Sequence, residues 1–358
     1  YPPQAYPPVP YPPQQGYPPP PYAPPTAPQR AETLPPSVRP IWSFKAEDAI
    51  RGRPYVDKGT VYFGAYDNNV WALATSDGSL RWKFPTDGGI GSSPVYNGGV
   101  IYVGSADARL YAIDARTGKL RWNYKTDGKI FTTPAVSHGM VLFGCDDGRF
   151  YALRPGPASA REAWTFSAVS PVRSSATIDE VTESICFGTD GGDYICLDFS
   201  GETKWRFTTR REVMSTALLR ENMLYVGSND GHIYAVDINR GYQIWRYRTR
   251  GAVVSSPATG RDRIFFGSAD GFLYCLNASN GKEIWKREVG EAMTSSPAVF
   301  RESLYIGCRD GNLYSFHVET GEVLWRFKSE GPILSSPIVA EDTIFVGSDD
   351  KHLYALNA

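Results

Sequence analysis

The sequence predicts an all-β protein, an eight-bladed β-propeller that follows a proline- and tyrosine-rich tail. Three observations lead to this prediction: tryptophans recur about every 40 residues, glycines recur in step with them, and a proline-rich stretch ends where the repeat begins. A repeat of about 40 residues that reads as four short strands is typical of one propeller blade. We therefore divide the chain into a tail, residues 1–40, and a propeller, residues 41–358.

The tail contains 17 of the chain's 28 prolines. Proline has no backbone N–H and favours polyproline II, so such a stretch cannot build a sheet or a packed core. Two interpretations stay open: a solvated spacer, and a docking strip whose regularly spaced aromatic rings enter a partner's groove. The candidate partner-binding residues of such a strip are Tyr1, Tyr6, Tyr11, Tyr17 and Tyr22.

From residue 41 onward one unit repeats, and three residue types keep its spacing. The tryptophans are Trp42, Trp82, Trp122, Trp164, Trp205, Trp245, Trp285 and Trp325. The glycines are Gly64, Gly104, Gly144, Gly188, Gly227, Gly267, Gly307 and Gly347. Three residues after seven of these glycines stands an aspartate: Asp67, Asp107, Asp147, Asp230, Asp270, Asp310 and Asp350. An aspartate in such a turn caps the backbone, so we assign these carboxylates to turn capping rather than to a metal site.

One unit, residues 92–122, shows how the repeat forms strands. Its short β-branched and aromatic runs are separated by turn sequences at residues 97–99, 104–107 and 117–118. Such runs of about four to six residues predict strands, and turns this short leave no room for a helix. Each unit is therefore predicted to be one sheet of four antiparallel strands.

The number of units predicts how the ring closes. Eight Ser-Ser-Pro-like starts can be counted, and the last unit ends near Asn357 without a tryptophan strand of its own. A spare tryptophan strand lies at the other end of the propeller, around Trp42. We therefore predict that this strand becomes the outermost strand of the C-terminal blade and removes the open edge of the ring. The eight tryptophans are predicted to be structural residues that dock one blade on the next.

The repeat SSPxxxxxxxxYVGSxDGxLYALDxxTGxxxW resembles that of the quinoprotein-type (PQQ-like) propellers over essentially all of residues 41–358. Two branches of that family differ in chemistry. The resemblance implies either a pyrroloquinoline-quinone dehydrogenase or a non-enzymatic scaffold of the BamB type, which serves outer-membrane β-barrel assembly. The same propeller also occurs fused to bacterial serine/threonine kinases, which implies a sensor or interaction domain.

The residues that the quinone branch uses are not found at matching places. That family holds its quinone on a tryptophan floor, beneath two adjacent cysteines and beside calcium. Here eight tryptophans belong to the docking series, and the ninth, Trp71, takes an aromatic strand position. The cysteines are scattered at Cys145, Cys186, Cys196, Cys275 and Cys308, and the histidines fall in four different units, at His138, His232, His317 and His352. We therefore expect no catalytic residue, no cofactor and no metal site.

The same scatter of cysteines predicts buried free thiols rather than a disulfide framework. Cys186 and Cys196 are expected on neighbouring strands, so they are the one pair worth testing for a bridge.

The charges nearly cancel, with 37 basic and 38 acidic side chains, so the sequence predicts no general attraction to nucleic acid. No run of about 18 apolar residues occurs, and we expect no direct membrane insertion by this segment. Basic residues nevertheless gather at four successive connections between blades: Lys125, Lys129, Arg173, Arg210, Arg211, Arg248 and Arg250. These are candidate binding residues for an acidic partner, with a solvated rim as the alternative.

The function that these observations favour is a rigid, non-catalytic scaffold that binds other proteins, as a subunit or accessory of a larger bacterial envelope or membrane-associated assembly. The alternative is a sensor propeller of a signalling protein whose kinase domain precedes Tyr1; its small ligand would occupy a polar channel lined by the Ser/Thr unit starts. A quinoprotein oxidoreductase is the remote alternative. The BamB-type resemblance favours a periplasmic or membrane-associated location, and the free-looking thiols leave a cytoplasmic one open.

Overall fold

The computed structural model describes residues 36–358, in which the chain forms 32 strands and no helix. The strands make eight four-stranded antiparallel sheets, which confirms the predicted all-β, eight-bladed propeller. The five tail tyrosines, Tyr1 to Tyr22, lie outside the described residues, so their role stays a prediction. Within residues 36–358 no helix has the length and apolarity that crossing a membrane requires.

The strands follow one another around the ring in chain order. The first strand, β1, spans Trp42–Lys45. Blade one contains β2 (Tyr55–Asp57), β3 (Thr60–Ala65), β4 (Asn69–Ala74) and β5 (Leu80–Pro85). Blade two contains β6 (Val95–Asn97), β7 (Val100–Gly104), β8 (Arg109–Asp114) and β9 (Leu120–Lys125). Blade three contains β10 (Ala135–Ser137), β11 (Met140–Gly144), β12 (Arg149–Pro155) and β13 (Ala160–Ser167).

The remaining blades repeat the pattern of a short first strand and three longer ones. Blade four contains β14 (Thr177–Asp179), β15 (Ser184–Gly188), β16 (Asp193–Leu197) and β17 (Thr203–Thr208). Blade five contains β18 (Leu218–Arg220), β19 (Met223–Ser228), β20 (His232–Asp237) and β21 (Gln243–Arg248). Blade six contains β22 (Ala258–Gly260), β23 (Arg263–Gly267), β24 (Phe272–Asn277) and β25 (Glu283–Glu288). Blade seven contains β26 (Ala298–Phe300), β27 (Ser303–Gly307), β28 (Asn312–His317) and β29 (Val323–Lys328), and blade eight contains β30 (Ile338–Ala340), β31 (Thr343–Gly347) and β32 (His352–Asn357).

The ring closes as the sequence predicts, because β1 completes blade eight. It pairs antiparallel with β32, from Trp42 opposite Ala355 to Lys45 opposite His352. Just before β1, the Arg326 N–H donates to the Pro36 carbonyl at 3.0 Å, and the Val38 N–H donates to the Arg326 carbonyl at 3.1 Å. Residues 36–38 therefore lie along β29, so the start of the described chain pairs with blade seven as well as with blade eight.

The apolar core lies between blades rather than inside any one of them. Trp82 of blade one, for example, packs in one cluster with Ile101 and Tyr111 of blade two. Its indole N–H donates to the Ala115 carbonyl of blade two at 2.9 Å, and Trp245 of blade five makes the equivalent bond to Ala278 of blade six at 3.0 Å. The equivalent bond to a backbone carbonyl of the next blade is made by Trp42, Trp164, Trp205 and Trp285, so these six tryptophans each fasten one blade to the next.

The turn aspartates also join neighbouring blades. The carboxylate of Asp107 accepts the Tyr111 hydroxyl at 2.7 Å and the Asp87 backbone N–H at 3.0 Å. Asp87 lies in the connection that enters blade two, so the carboxylate ties that connection to the blade. The same two donors meet Asp147, Asp230, Asp270 and Asp350. Internal donors thus occupy these carboxylates, as turn capping predicts.

The five thiols are buried and free. Cys186 and Cys196 stand directly opposite each other on β15 and β16, with their sulfur atoms 3.0 Å apart. Burial raises the pKa of the Cys145 thiol to about 11 and that of Cys308 to about 12.

We expect none of the five thiols to react within minutes with a thiol-labelling reagent at neutral pH, because all five sulfur atoms are enclosed and burial raises the pKa of Cys145, Cys275 and Cys308. All five are expected to react after unfolding in urea, which serves as the control. Labels counted by mass spectrometry check this prediction. Rapid labelling of the folded protein would contradict it, and three labels after unfolding would show a Cys186–Cys196 disulfide.

Candidate functional site

The predicted basic residues lie on one face of the ring. Lys125 ends β9 and Arg248 ends β21, while the other five lie in the connections that follow the outermost strands of blades two to five. Outermost strands run in the same direction in every blade because the blades share one strand order. Their C-terminal ends, and the connections that follow, therefore emerge on the same face, which we call the connection face.

Four of the seven predicted basic residues line one groove on the connection face. The groove has a volume of about 900 Å³ and spans blades five and six. It is lined by Arg210, Arg211, Asn229, Asp230, Gly231, Tyr247, Arg248, Thr249, Arg250, Gly251, Ala252, Tyr274 and Lys286. We call it the arginine groove.

The four arginine side chains of this groove are exposed and carry uncompensated charge. Among residues 36–358 none of their guanidinium groups takes part in an ion pair or a hydrogen bond, although the backbone N–H groups of Arg210 and Arg250 are bonded. The one acidic residue in the lining is Asp230, whose side chain is only 3% exposed. Burial acts to raise the pKa of Asp230, but hydrogen bonds from Tyr234 and the Arg210 backbone outweigh it, so the pKa lies below its ordinary value. The Asp230 carboxylate is thus buried and bonded to internal donors, and the exposed surface of the groove is positive.

The other three predicted basic residues do not line the groove. Arg173 forms ion pairs with Asp146 at 2.9 Å and Asp190 at 3.1 Å, so its charge is compensated within the protein. Lys125 and Lys129 are exposed in and after β9. The four groove arginines are therefore unpaired in the described chain, whereas Arg173 links the turns that contain Asp146 and Asp190.

Lys286 and Tyr247 are groove residues that the sequence analysis did not identify. Both lie within outer strands, whereas the predicted basic residues lie at the ends of such strands or in the connections that follow them. The Tyr247 hydroxyl donates to Glu283, and Lys286 lies 3.5 Å from the same carboxylate. Their positions could have been found from the sequence. Tyr247 and Lys286 closely follow docking tryptophans in strands that end at this face.

Blade four differs from the other blades on the connection face because it lacks the turn aspartate. Gly191 takes the place of that aspartate. Val169, in the connection that precedes blade four, has a φ of 69° and is 89% exposed. A β-branched residue is disfavoured in this left-handed region. An exposed valine in a strained backbone therefore marks blade four as the irregular part of this face.

The arrangement suits binding rather than acid–base chemistry. A guanidinium group presents a planar fork of donors that matches carboxylate and phosphate oxygens. Four such groups, with Lys286 beside them, form a positive surface for an acidic segment. Within residues 36–358 no group of three histidine, cysteine or acidic side chains is placed to hold a metal ion.

The central channel does not present the donors that a quinone site of the resembling family requires. The residues that line it in the described chain are mainly serine, threonine, proline and aliphatic residues, and they include no tryptophan, cysteine or carboxylate. The ninth tryptophan, Trp71, is buried in the core between blades one and eight. The residues present therefore do not fit the quinone and its calcium ion.

Comparison with known proteins places these features in a family. The family model described as outer membrane protein assembly factor BamB matches residues 35–89, 77–181, 156–297 and 269–358. No curated protein matches the sequence.

Solved structures share the architecture at low sequence identity. BamB from Moraxella catarrhalis is 16% identical, with a TM-score of 0.78, over 89% of this chain and 99% of that one. Sqt1 from Saccharomyces cerevisiae is 14% identical, with a TM-score of 0.80, over 90% and 99%. A europium-containing methanol dehydrogenase is 15% identical, with a TM-score of 0.75, over 87% and 85%. At these identities the likeness shows the fold alone, which BamB and Sqt1 share with a dehydrogenase.

Proposed function

This chain belongs to the family described as outer membrane protein assembly factor BamB, and from that premise we propose that it is a non-catalytic scaffold that binds other proteins. In this proposal it is a subunit or accessory of a larger bacterial envelope or membrane-associated assembly. The observation that carries the proposal is the arginine groove, where four exposed guanidinium groups have no internal partner among residues 36–358.

The proposed contact is an acidic segment of a partner protein. A cleft of about 900 Å³ is large enough for several side chains of an extended peptide. Its walls belong to blades five and six, whose strands are fixed by tryptophan docking, so the arginines start from a preorganised frame. Preorganisation lowers the entropy that binding would otherwise cost.

The enzymatic alternative has less support from the same structure. The methanol dehydrogenase neighbour shows that the architecture is compatible with oxidoreductase chemistry. In this chain, however, the channel lining lacks the residues that the quinone branch uses, and the four free guanidinium groups of the arginine groove lie on a face of the ring. These observations favour binding over catalysis.

Reversing the charge of the arginine groove is expected to weaken partner binding at least about tenfold. The change is Arg248→Glu together with Arg250→Glu, which replaces two attractive contacts by repulsive ones. Zero-length carbodiimide crosslinking of the full chain in native extracts measures the contact, because it joins the Lys286 amine to a partner's carboxylate. We expect a crosslink from Lys286 to an acidic segment of another protein, and its loss in the double variant.

The matched control is Arg116→Glu together with Arg240→Glu. It changes the net charge by the same amount, and both residues lie in turns before the outermost strands, on the face opposite the groove. We expect it to keep the crosslink. Equal loss in both variants would contradict a specific groove, and no crosslink to any protein from the unchanged chain would contradict the scaffold.

A further inference from the structure

The central channel carries one charged residue at a place where the other blades carry a small hydroxyl residue. Arg53 of blade one lines a cavity of about 520 Å³ at the start of the inner strands. The residues at the matching place in blades two to eight are Ser93, Thr133, Ser175, Thr216, Ser256, Ser296 and Ser336. Arg53 is thus the one residue of this set that is not serine or threonine, and it lies where the inner strands of all blades meet.

The hydroxyl groups around Arg53 have hydrogen atoms left to donate. The Arg53 N–H donates to the Ser93 oxygen at 2.9 Å, and the Ser256 N–H donates to the Ser296 oxygen at 3.0 Å. The same bond joins Thr133 to Ser175, Thr216 to Ser256 and Ser296 to Ser336. Each of these serine oxygens thus accepts a backbone N–H, and within residues 36–358 none of their O–H groups has an acceptor. The channel is therefore rich in donors.

The guanidinium group of Arg53 is likewise without a partner in the described chain. It makes no ion pair and no hydrogen bond there, and no aspartate or glutamate lines the cavity. Water reaches the side chain through the channel, but the surrounding protein removes enough of it that burial lowers the pKa of Arg53 below its ordinary value. An arginine remains protonated under such conditions, so the channel holds a positive charge without a counter-charge.

Arg53 is shared between two cavities. The second has a volume of about 360 Å³ and is lined by Arg53 together with Leu218, Ser256 and Ser296, which also line the first. These residues come from blades five to seven, so the arginine side chain of blade one extends toward the far side of the ring. The guanidinium group and the two serines thus face the same space.

We propose that the central channel binds a small oxyanion, through the Arg53 guanidinium and the hydroxyl groups of Ser256 and Ser296. The planar fork of the guanidinium matches a carboxylate or a phosphate group, and the serines add neutral donors. The cavity of about 520 Å³ also leaves room for a small organic body attached to that group. This site is separate from the arginine groove and does not depend on the scaffold proposal.

The test is calorimetric titration of the full chain with inorganic phosphate and, separately, with succinate, in a buffer free of other oxyanions. We expect at least one of the two probes to bind at one site per chain. Binding of phosphate alone identifies a phosphate-type ligand and binding of succinate alone a carboxylate-type ligand, and either supports the proposal. No binding of either probe to the unchanged chain would overturn it.

Arg53→Ser places at this position the residue type that the other blades carry and keeps the backbone N–H that bonds to Ser93. We expect it to weaken binding of the probe at least about tenfold, because the charged donor is lost. Arg53→Lys is expected to keep part of the affinity. Arg248→Ser, in the arginine groove, is expected to bind the probe like the unchanged chain. Equal affinity of Arg53→Ser and the unchanged chain would overturn the proposal.

A folding control accompanies these variants. Arg53→Ser removes an uncompensated charge, so its melting temperature without ligand is expected to equal or exceed that of the unchanged chain. The unchanged chain, Arg53→Lys and Arg248→Ser are expected to melt at a higher temperature when the probe is added, whereas Arg53→Ser is expected to show a much smaller rise. A probe-induced rise of the same size in Arg53→Ser would place binding elsewhere and overturn the assignment to Arg53.

Discussion

Replacing Trp42 by alanine is expected to lower the free energy of unfolding by about 3–5 kcal/mol and to open the ring at its seam. Trp42 lies on β1, which belongs to blade eight, yet its indole N–H donates to the Thr75 carbonyl of blade one at 2.9 Å. Its ring packs 5.8 Å from Phe345 and against Gly78. The alanine variant loses these contacts at the one junction where the two ends of the propeller meet. Urea unfolding followed by circular dichroism measures the loss.

Trp82→Ala is the matched control for the seam. Trp82 makes the same bond to the next blade, to Ala115 at 2.9 Å, but at a junction that the continuous chain also spans. We expect a similar loss of free energy in both variants. Only Trp42→Ala is expected to expose residues 36–45 to limited proteolysis, since strand pairing and side-chain packing hold β1 in blade eight without a direct chain connection to β32. An unchanged melting temperature together with unchanged protease resistance in Trp42→Ala would rule out this closing role.

A methyl group added at Gly188 is expected to lower the free energy of unfolding by about 1–3 kcal/mol. Gly188 ends β15, and a Cβ there would lie 2.4 Å from the carbonyl oxygen of Val213 and 2.4 Å from its Cγ1. Val213 belongs to the connection that enters blade five, so Gly188→Ala would force two blades apart. Urea unfolding again gives the free energy.

Gly260→Ala is the comparison for this variant. The nearest atom to a Cβ at Gly260 would be 3.3 Å away, and the backbone there is not left-handed. We expect a change of less than about 1 kcal/mol, because the added methyl group meets no backbone atom at close range. If Gly260→Ala and Gly188→Ala lost equal stability, close packing between blades at Gly188 would not be the cause, because replacing glycine lowers the entropy of the unfolded chain at both sites alike.

This clash also explains the glycine series that the sequence analysis recognised only as a period. A Cβ at each of the eight glycines would meet an aliphatic residue of a connection between blades; these partners are Ile90, Ile130, Val172, Val213, Val253, Met293, Ile333 and Ile50. The period was visible in the sequence because every blade needs a glycine at the same close contact with the neighbouring connection. The partner was not, because it lies about 25 residues further on for seven glycines and at the opposite end of the propeller for Gly347.

The candidate site was only partly predictable. The sequence placed seven basic residues on one face, since alternation of short strands and turns determines the face on which a connection emerges. It did not distinguish Arg173, which is paired with Asp146 and Asp190, from Arg248 and Arg250, which are free. Whether a charge is compensated depends on distances between blades, and residues 17 to 27 positions apart carry no local signal of such a pair.

The sequence by itself determined the repeat, the eight blades and closure by the strand around Trp42, because each follows from local strand and turn preferences repeated at a constant interval. Only the tertiary structure decided which charges stand without partners. Arg53 belongs to the first of the eight unit starts, and ring closure brings it to the same channel as serines more than 200 residues away. The physical reason is that strand formation depends on neighbouring residues, whereas solvation and charge compensation depend on everything that closure brings together.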